Sequence, residues 1–202
     1  MTTIPSLQKY FIAQKRIRRK ETAPIKVEGF QRAPDLYLLF KELGYIKGAE
    51  IGVRWGQNAL AMCEAIPGLD LTVADMWTEY KDIDRLYPNE KHQRFYEKAK
   101  EILAPYNVTF MRMSSMEAVK KFDNESLDFV YLDANHKFDY IMEELIEWSR
   151  KVKVGGIISG HDFAHYIGQQ VVDAVDVYTE VHGIWELFFT DEQVPSFFWR
   201  KT

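Results

Sequence analysis

Apolar and polar residues follow two alternating patterns along the chain, one typical of strands and one typical of helices. Short apolar runs bounded by Gly, Pro, Asn or Asp predict five strands, which read KGAEIGV, LDLTVAD, NVTFMRM, SLDFVYLD and GGIISGHD. Apolar residues at helical spacing predict helices in LYLLFKEL, GQNALAMCEAI, EKHQRFYEKAKEIL, SMEAVKKF, KFDYIMEELIEWSRKV and QQVVDAVDVYTEV. This alternation predicts parallel crossover units with helices on both faces of one sheet.

Two further strands are predicted near the C-terminus, in IWELFFT and SFFWRK. Because only DEQVP separates them, which is too short for a crossover, they should form an antiparallel hairpin. The sequence thus predicts a three-layer, doubly wound, Rossmann-like α/β fold whose mostly parallel sheet carries a C-terminal antiparallel hairpin. Ligands of such sheets bind beyond the carboxyl ends of the strands, at the switch point.

The N-terminal segment differs from the rest in charge. It is either a flap that contacts a substrate or a phosphate-bearing partner, or a solvated helix face with a frayed end. We therefore divide the chain into a basic N-terminal tail or lid, residues 1–32, and a single α/β domain, residues 33–202. The segment carries six clustered basic residues before Pro24: Lys9, Lys15, Arg16, Arg18, Arg19 and Lys20.

Composition narrows the class of protein. The 202 residues suffice for one core, and 47% hydrophobic and 14% aromatic residues are typical of a packed globular protein. A net charge of -4 argues against a protein that coats nucleic acid or anionic membrane. The single cysteine, Cys63, excludes a disulfide within the chain, and no export signal or apolar membrane span is recognisable, so we expect a cytoplasmic protein.

The first two predicted strands end in residues suited to a ligand. Gly52 and Gly56 bracket a strand-to-helix turn, and they serve either close approach of an anionic ligand to the backbone amides or steric relief alone. Asp75 follows about twenty residues on, where an acid either accepts hydrogen bonds from a ribose diol or caps a loop.

The third strand ends at Met113 and Ser114. A serine here either bonds an adenine edge or caps the next helix, with Glu117 near the capping-box position. Met113 suits either a purine ring or the core.

The next two strands bring acids and histidines to neighbouring ends: Asp133 and His136 after one, His161 and Asp162 after the other. A charged Asp at the end of a buried strand is costly unless it is paired, capping or coordinating. Close carboxylates favour Mg²⁺ or a shared proton. As alternatives, Asp133 caps the following helix and either His is a hydrogen-bonded loop residue.

The order and spacing of four segments resemble class I S-adenosyl-L-methionine (SAM)-dependent methyltransferases. The segments are EIGVRWGQNALAM, VADMW, DFVYLDANHKFDYIMEELIEW and VKVGGIISGHDF, within residues 45 to 163. The resemblance is to a small O-methyltransferase-like branch, whose fourth strand ends in D-x-x-H and whose fifth ends in G-G-x-I-x-x-H-D.

This resemblance implies SAM as the cofactor, with the glycine turn around its methionine portion, Asp75 on the ribose and Ser114 beside the adenine. Strand-end acids bind a divalent metal in some relatives, which implies Mg²⁺ on Asp133 and Asp162, but Phe163 replaces a third acid. Asp133, His136 and His161 are the implied catalytic residues. The implied cofactor-binding residues are Glu50, Gly52, Gly56, Gln57, Asn58, Asp75, Met76, Met113, Ser114 and Asp133.

We therefore expect methyl transfer to an oxygen of a small molecule or sugar, because DANH stands where amino-methylating enzymes carry an N-P-P-Y type motif. Whether the protein forms a homo-oligomer stays open. One rival is an NAD-dependent oxidoreductase, although GVRWG lacks its G-x-G-x-x-G turn. Another is a non-catalytic partner-binding protein of the same fold.

Five residues are candidates for the acceptor site or for a lid's own core: Trp77, Tyr80, Tyr87, His165 and Tyr166.

Overall fold

A single eight-stranded sheet organises the computed structural model, which describes residues 24–78, 88–165 and 168–202. The strands are β1 (Ile25–Lys26), β2 (Lys47–Ile51), β3 (Asp70–Asp75), β4 (Val108–Arg112), β5 (Leu127–Leu132), β6 (Val152–Gly160), β7 (Phe188–Phe189) and β8 (Phe197–Arg200). The helices are α1 (Tyr37–Glu42), α2 (Gln57–Ala65), α3 (Asn89–Leu103), α4 (Ser115–Ala118), α5 (Phe138–Lys151) and α6 (Val171–Val181). An irregular turn, Arg32–Leu36, in which Ala33 has non-helical φ and ψ angles of -118° and 124°, leads into α1. A 3-10 turn, Val119–Lys121, continues α4.

The strand order is β1-β7-β8-β6-β5-β2-β3-β4. Strands β4, β3, β2, β5 and β6 run parallel, whereas β8 is antiparallel to both β6 and β7. The predicted doubly wound fold with its C-terminal hairpin is confirmed. Strand β7 is shorter than the sequence predicted, because only Phe188 and Phe189 pair with β8.

Part of the segment that we separated as a tail belongs to the sheet. Strand β1 pairs in parallel with β7, and the Ile25 amide donates to the Leu187 carbonyl at 2.8 Å. Val27 and Phe30 are buried in the core. Residues 1–23, which carry the six basic residues, lie outside the described chain, so the lid stays a prediction.

The sheet separates two apolar layers. One layer joins the sheet to α1, α2 and α3 through buried residues such as Phe40, Met62 and Phe129. The other joins it to α5 and α6 through residues such as Leu145 and Trp148. No helix in the described part of the chain is long and apolar enough to cross a membrane.

The switch point lies between β2 and β5. From β2 the sheet grows through β3 to β4 in one direction, and the chain then returns to β5 on the other side of β2. The loops that leave the two central strands therefore diverge and open a crevice at their carboxyl ends. The Gly52 amide donates to the Ala74 carbonyl at 2.9 Å and the Asp133 amide to the Ile51 carbonyl at 2.7 Å, which fixes the floor of this crevice.

Candidate active site

The glycine turn after β2 is shaped by its packing. Gly52 and Gly56 have φ angles of 85° and 82°, which L side chains rarely adopt. A Cβ on Gly52 would lie 2.0 Å from the Asp133 carbonyl oxygen, and one on Gly56 would lie 3.2 Å from Ala99 on α3. Steric relief thus accounts for both glycines, and contact of their amides with a ligand stays a prediction.

Asp75, at the end of β3, holds that turn in place. Its Oδ2 accepts from the amides of Val53 and Arg54, each at 2.9 Å, and its Oδ1 accepts from the Trp77 amide at 2.7 Å. Asp75 is therefore a loop cap, whether or not a ribose also binds it.

Trp77 closes the same loop from behind, because its indole Nε1 donates to the Arg54 carbonyl at 2.7 Å. The ring is 1% exposed and packs on Tyr96, so it belongs to the protein's own core and offers no surface to an acceptor. His165 is exposed. The other aromatic candidates, Tyr80, Tyr87 and Tyr166, lie outside the described residues.

Glu50 and Asn58 form a buried polar bridge between β2 and α2. Glu50 is 1% exposed, its Oε1 accepts from Asn58 Nδ2 at 2.9 Å, and Tyr37 donates its hydroxyl to Asn58 Oδ1. Burial raises the pKa of Glu50 to about 8, although the Asn58 bond opposes this. Both polar ends of the Asn58 side chain are thus engaged within the protein, and its contact with a cofactor stays a prediction. Gln57, beside it, is exposed.

Ser114, at the end of β4, caps α4. Its Oγ accepts from the Glu117 amide at 3.3 Å, and Glu117 Oε2 accepts in turn from the Ser114 amide at 3.1 Å, which completes a capping box. This is the capping alternative of the sequence prediction. Met76 and Met113 follow β3 and β4, and both are half-buried.

The two pairs of acids and histidines meet at the ends of β5 and β6. His136 Nε2 lies 2.7 Å from Asp162 Oδ2, while His161 Nδ1 lies 3.4 Å from that same oxygen and 3.8 Å from Asp133 Oδ1. All four side chains are partly buried. The structure therefore brings together the four residues that the sequence placed on neighbouring strand ends.

Three of these side chains could hold a divalent cation. Ligand atoms of Asp133, His136 and Asp162 all lie within 4.8 Å of one another. Phe163, at the place of the relatives' third acid, is buried against Phe197 and offers no donor. His136 would supply the third donor atom, a role that the sequence prediction gave to no residue although the D-x-x-H spacing carries the signal.

The two carboxyls of this cluster titrate differently. Burial raises the pKa of Asp133 to about 6, with His161 opposing this. Burial also disfavours the charged form of Asp162, but hydrogen bonds from His136 and His161 outweigh it and hold the pKa of Asp162 well below its usual range. Neighbouring carboxyls whose pKa values are pushed apart are suited to separate acid and base roles.

Two further ionisable residues, which the sequence analysis missed as site residues, border the cluster. Glu144 on α5 is buried beside Asp133 and His161, and burial raises its pKa to about 8. Arg32 reaches the Tyr131 hydroxyl on β5. Glu144 lay in an ordinary helical pattern and Arg32 at the end of the presumed tail, so neither carried a local signal.

Comparison with known proteins places the chain in a family. A family model described as a methyltransferase domain matches residues 49–163, more than half of the chain. The chain belongs to this methyltransferase family, and the predicted resemblance to class I SAM-dependent methyltransferases is confirmed. Compared by sequence with curated proteins, the chain matches none.

Solved structures of O-methyltransferases share the fold. TomG from Streptomyces achromogenes, involved in tomaymycin synthesis and solved with SAM, is 16% identical with a TM-score of 0.58, over 98% of this chain and 96% of TomG. An O-methyltransferase from Bacillus cereus, solved with S-adenosylhomocysteine (SAH), is 13% identical with a TM-score of 0.59, over 96% and 97% of the two chains. NovP is 20% identical with a TM-score of 0.57, over 77% of this chain and 72% of NovP.

Proposed function

We propose that this protein transfers a methyl group from SAM to a hydroxyl oxygen of a small molecule or sugar. The observation that carries the proposal is the cluster of Asp133, His136, His161 and Asp162 beside the switch-point crevice. Family membership supports the methyl transfer, and the fold shared with O-methyltransferases that bind SAM or SAH supports the cofactor and the oxygen acceptor.

The residues around the crevice fit a nucleoside cofactor. Asp75 and Trp77 preorganise the glycine turn, Gln57 is exposed in the first turn of α2, and Met76 and Met113 flank the strand ends. When bound, SAM supplies a methyl group already activated on a sulfonium. The protein must then hold the acceptor oxygen in line with that methyl group and remove its proton.

Asp133 is the best placed proton acceptor. With its pKa at about 6, it is mostly ionised at neutral pH yet more basic than an exposed aspartate. His136 is held by Asp162 at 2.7 Å, whereas His161 Nδ1 lies 3.4 Å from Asp162 and 3.8 Å from Asp133. Asp162, held as the anion, orients both imidazoles.

The same cluster also fits a metal-assisted reaction. The mixed set of two carboxylates and one imidazole suits Mg²⁺ and, because of the imidazole, Mn²⁺. A cation held there would lower the pKa of the acceptor hydroxyl. Asp133 and Asp162 would then act as ligands, and His161 would be the remaining base.

The proposal is tested by transfer of a labelled methyl group from SAM to a panel of phenols, hydroxy acids and sugars, with and without EDTA and added Mg²⁺ or Mn²⁺. Asp133→Asn should lower the rate on any accepted substrate by roughly 100-fold or more. It should leave SAH affinity within a few-fold of the wild type. Asp123→Asn, at an exposed loop position, is the matched control and should have no effect. Transfer at the wild-type rate by the Asp133 variant would contradict the site, and SAH binding without transfer to any acceptor would favour the partner-binding alternative.

A further inference from the structure

Arg32 is positioned by contacts from the C-terminal hairpin. Its backbone amide donates to Glu192 Oε1 at 3.1 Å, and Thr190 Oγ1 contacts that same oxygen at 2.7 Å. The side chain is half-buried and runs towards β5, where Nη1 lies 3.5 Å from the Tyr131 hydroxyl. The guanidinium therefore lies at a defined place on the β2–β5 side of the sheet.

The hydrogen-bonding capacity of this guanidinium is largely unused. A guanidinium carries five N–H donors, and within the described ranges it makes only the long contact with Tyr131, with no carboxylate oxygen within 4.0 Å. Withdrawing such a charge from water is costly unless an anion compensates. A half-buried arginine in this situation is suited to an anionic ligand.

The register of the sheet places Arg32 next to the crevice. Glu50 on β2 pairs with Tyr131 on β5, and Asp133 follows two residues further along the same face. Arg32 lowers the pKa of both Glu50 and Asp133, which agrees with its nearness to both. The glycine turn touches the same strand end, because Gly52 packs on the Asp133 carbonyl.

We infer that Arg32 binds the carboxylate at the amino-acid end of the cofactor. This inference rests on the proposed function. Asn58, one of the implied cofactor-binding residues, has its side-chain amide bonded to Glu50 and Tyr37. The planar fork of Arg32 matches a carboxylate through two parallel hydrogen bonds, a geometry that lysine cannot reproduce.

The test compares two ligands that differ at this carboxylate. SAH carries the amino-acid end, whereas 5′-methylthioadenosine keeps the nucleoside and the sulfur but lacks it. Calorimetric titrations of both into the wild type should be compared with Arg32→Ala and Arg32→Lys. Arg150→Ala is the charge-matched control, because Arg150 is exposed at the end of α5 and pairs with Glu147.

Arg32→Ala should weaken SAH binding on the order of 10- to 100-fold while leaving methylthioadenosine binding unchanged. Arg32→Lys should show a smaller loss confined to SAH, and it carries the test if the alanine variant does not fold. Equal affinities of the wild type and both variants for SAH would overturn the inference. Equal affinities are also the result expected if Arg32 binds a carboxylate of the acceptor and not of the cofactor. Failure of the wild type to bind either ligand would instead overturn the proposed function.

Discussion

At the scale of single residues, Asp75 shows why an acid at a strand end is hard to interpret from sequence. The acid alone favours a loop cap and its combination with the glycine turn favours a ribose contact, whereas the structure gives its carboxylate three backbone amides. Removing this side chain would release the glycine turn and weaken cofactor binding even if no ribose touched it. Loss of binding in an Asp75 variant would therefore not establish a ribose contact.

Glu144 carries a testable pH dependence. Its carboxyl has a pKa of about 8 in the folded protein, above the ordinary value of 4.5, because it is buried. Between these two pH values the folded state holds a proton that the unfolded chain releases. The contribution of Glu144 to the free energy of unfolding is therefore complete below about pH 4.5 and is lost as pH rises through about 8. Glu144→Gln is neutral at every pH and should not show this loss. Its free energy of unfolding relative to that of the wild type should therefore be higher at pH 8 than at pH 5, by about 1 kcal/mol or more.

Urea unfolding of both proteins at pH 5 and pH 8 measures this difference. Glu50, whose pKa is raised in the same direction, should leave a residual slope in the variant. Glu143→Gln, one position earlier on α5 and exposed, should follow the wild type at both pH values. Parallel behaviour of Glu144→Gln and the wild type would contradict a raised pKa at Glu144.

At the scale of elements, the sequence pattern predicted elements of four or more residues well, but not the two-residue strands. The pattern located strands β2 to β6, strand β8 and the six predicted helices correctly. Each of these elements has four or more successive residues that follow one period, which is enough to be recognised. Strand β1 has only two residues and no period to detect. Its position depends on pairing with β7, which is more than 160 residues away in the sequence.

Phe30 tests whether the segment after β1 belongs to the folded domain. It is 5% exposed and its ring lies 5.7 Å from that of Phe198 on β8. Phe30→Ala should lower the free energy of unfolding by about 3 kcal/mol, measured by chemical denaturation. Ile46→Ala, at a position 61% exposed, should change it by less than about 0.5 kcal/mol. A similarly small effect at Phe30 would mean that this segment is a separable tail.

At the scale of the whole molecule, the topology assembles the site from distant parts of the chain. Asp133 and His136 meet His161 and Asp162 because β5 and β6 are parallel neighbours whose carboxyl ends meet at one edge, and this could be predicted from the order of elements alone. Arg32 could not be predicted, because it reaches that edge through the contact of its amide with Glu192 on the hairpin. The glycine turn was located correctly, but its packing against Asp133 and Ala99 depends on side-by-side loops that periodicity does not describe.

Separate calorimetric titrations of SAH and NAD into the purified protein test whether the crevice between β2 and β5 binds SAM. We expect micromolar binding of SAH and no binding of NAD. Binding of NAD alone would contradict this expectation and favour an oxidoreductase on a similar sheet. Heat from neither ligand would also contradict it and leave a methyltransferase fold that serves to bind a partner.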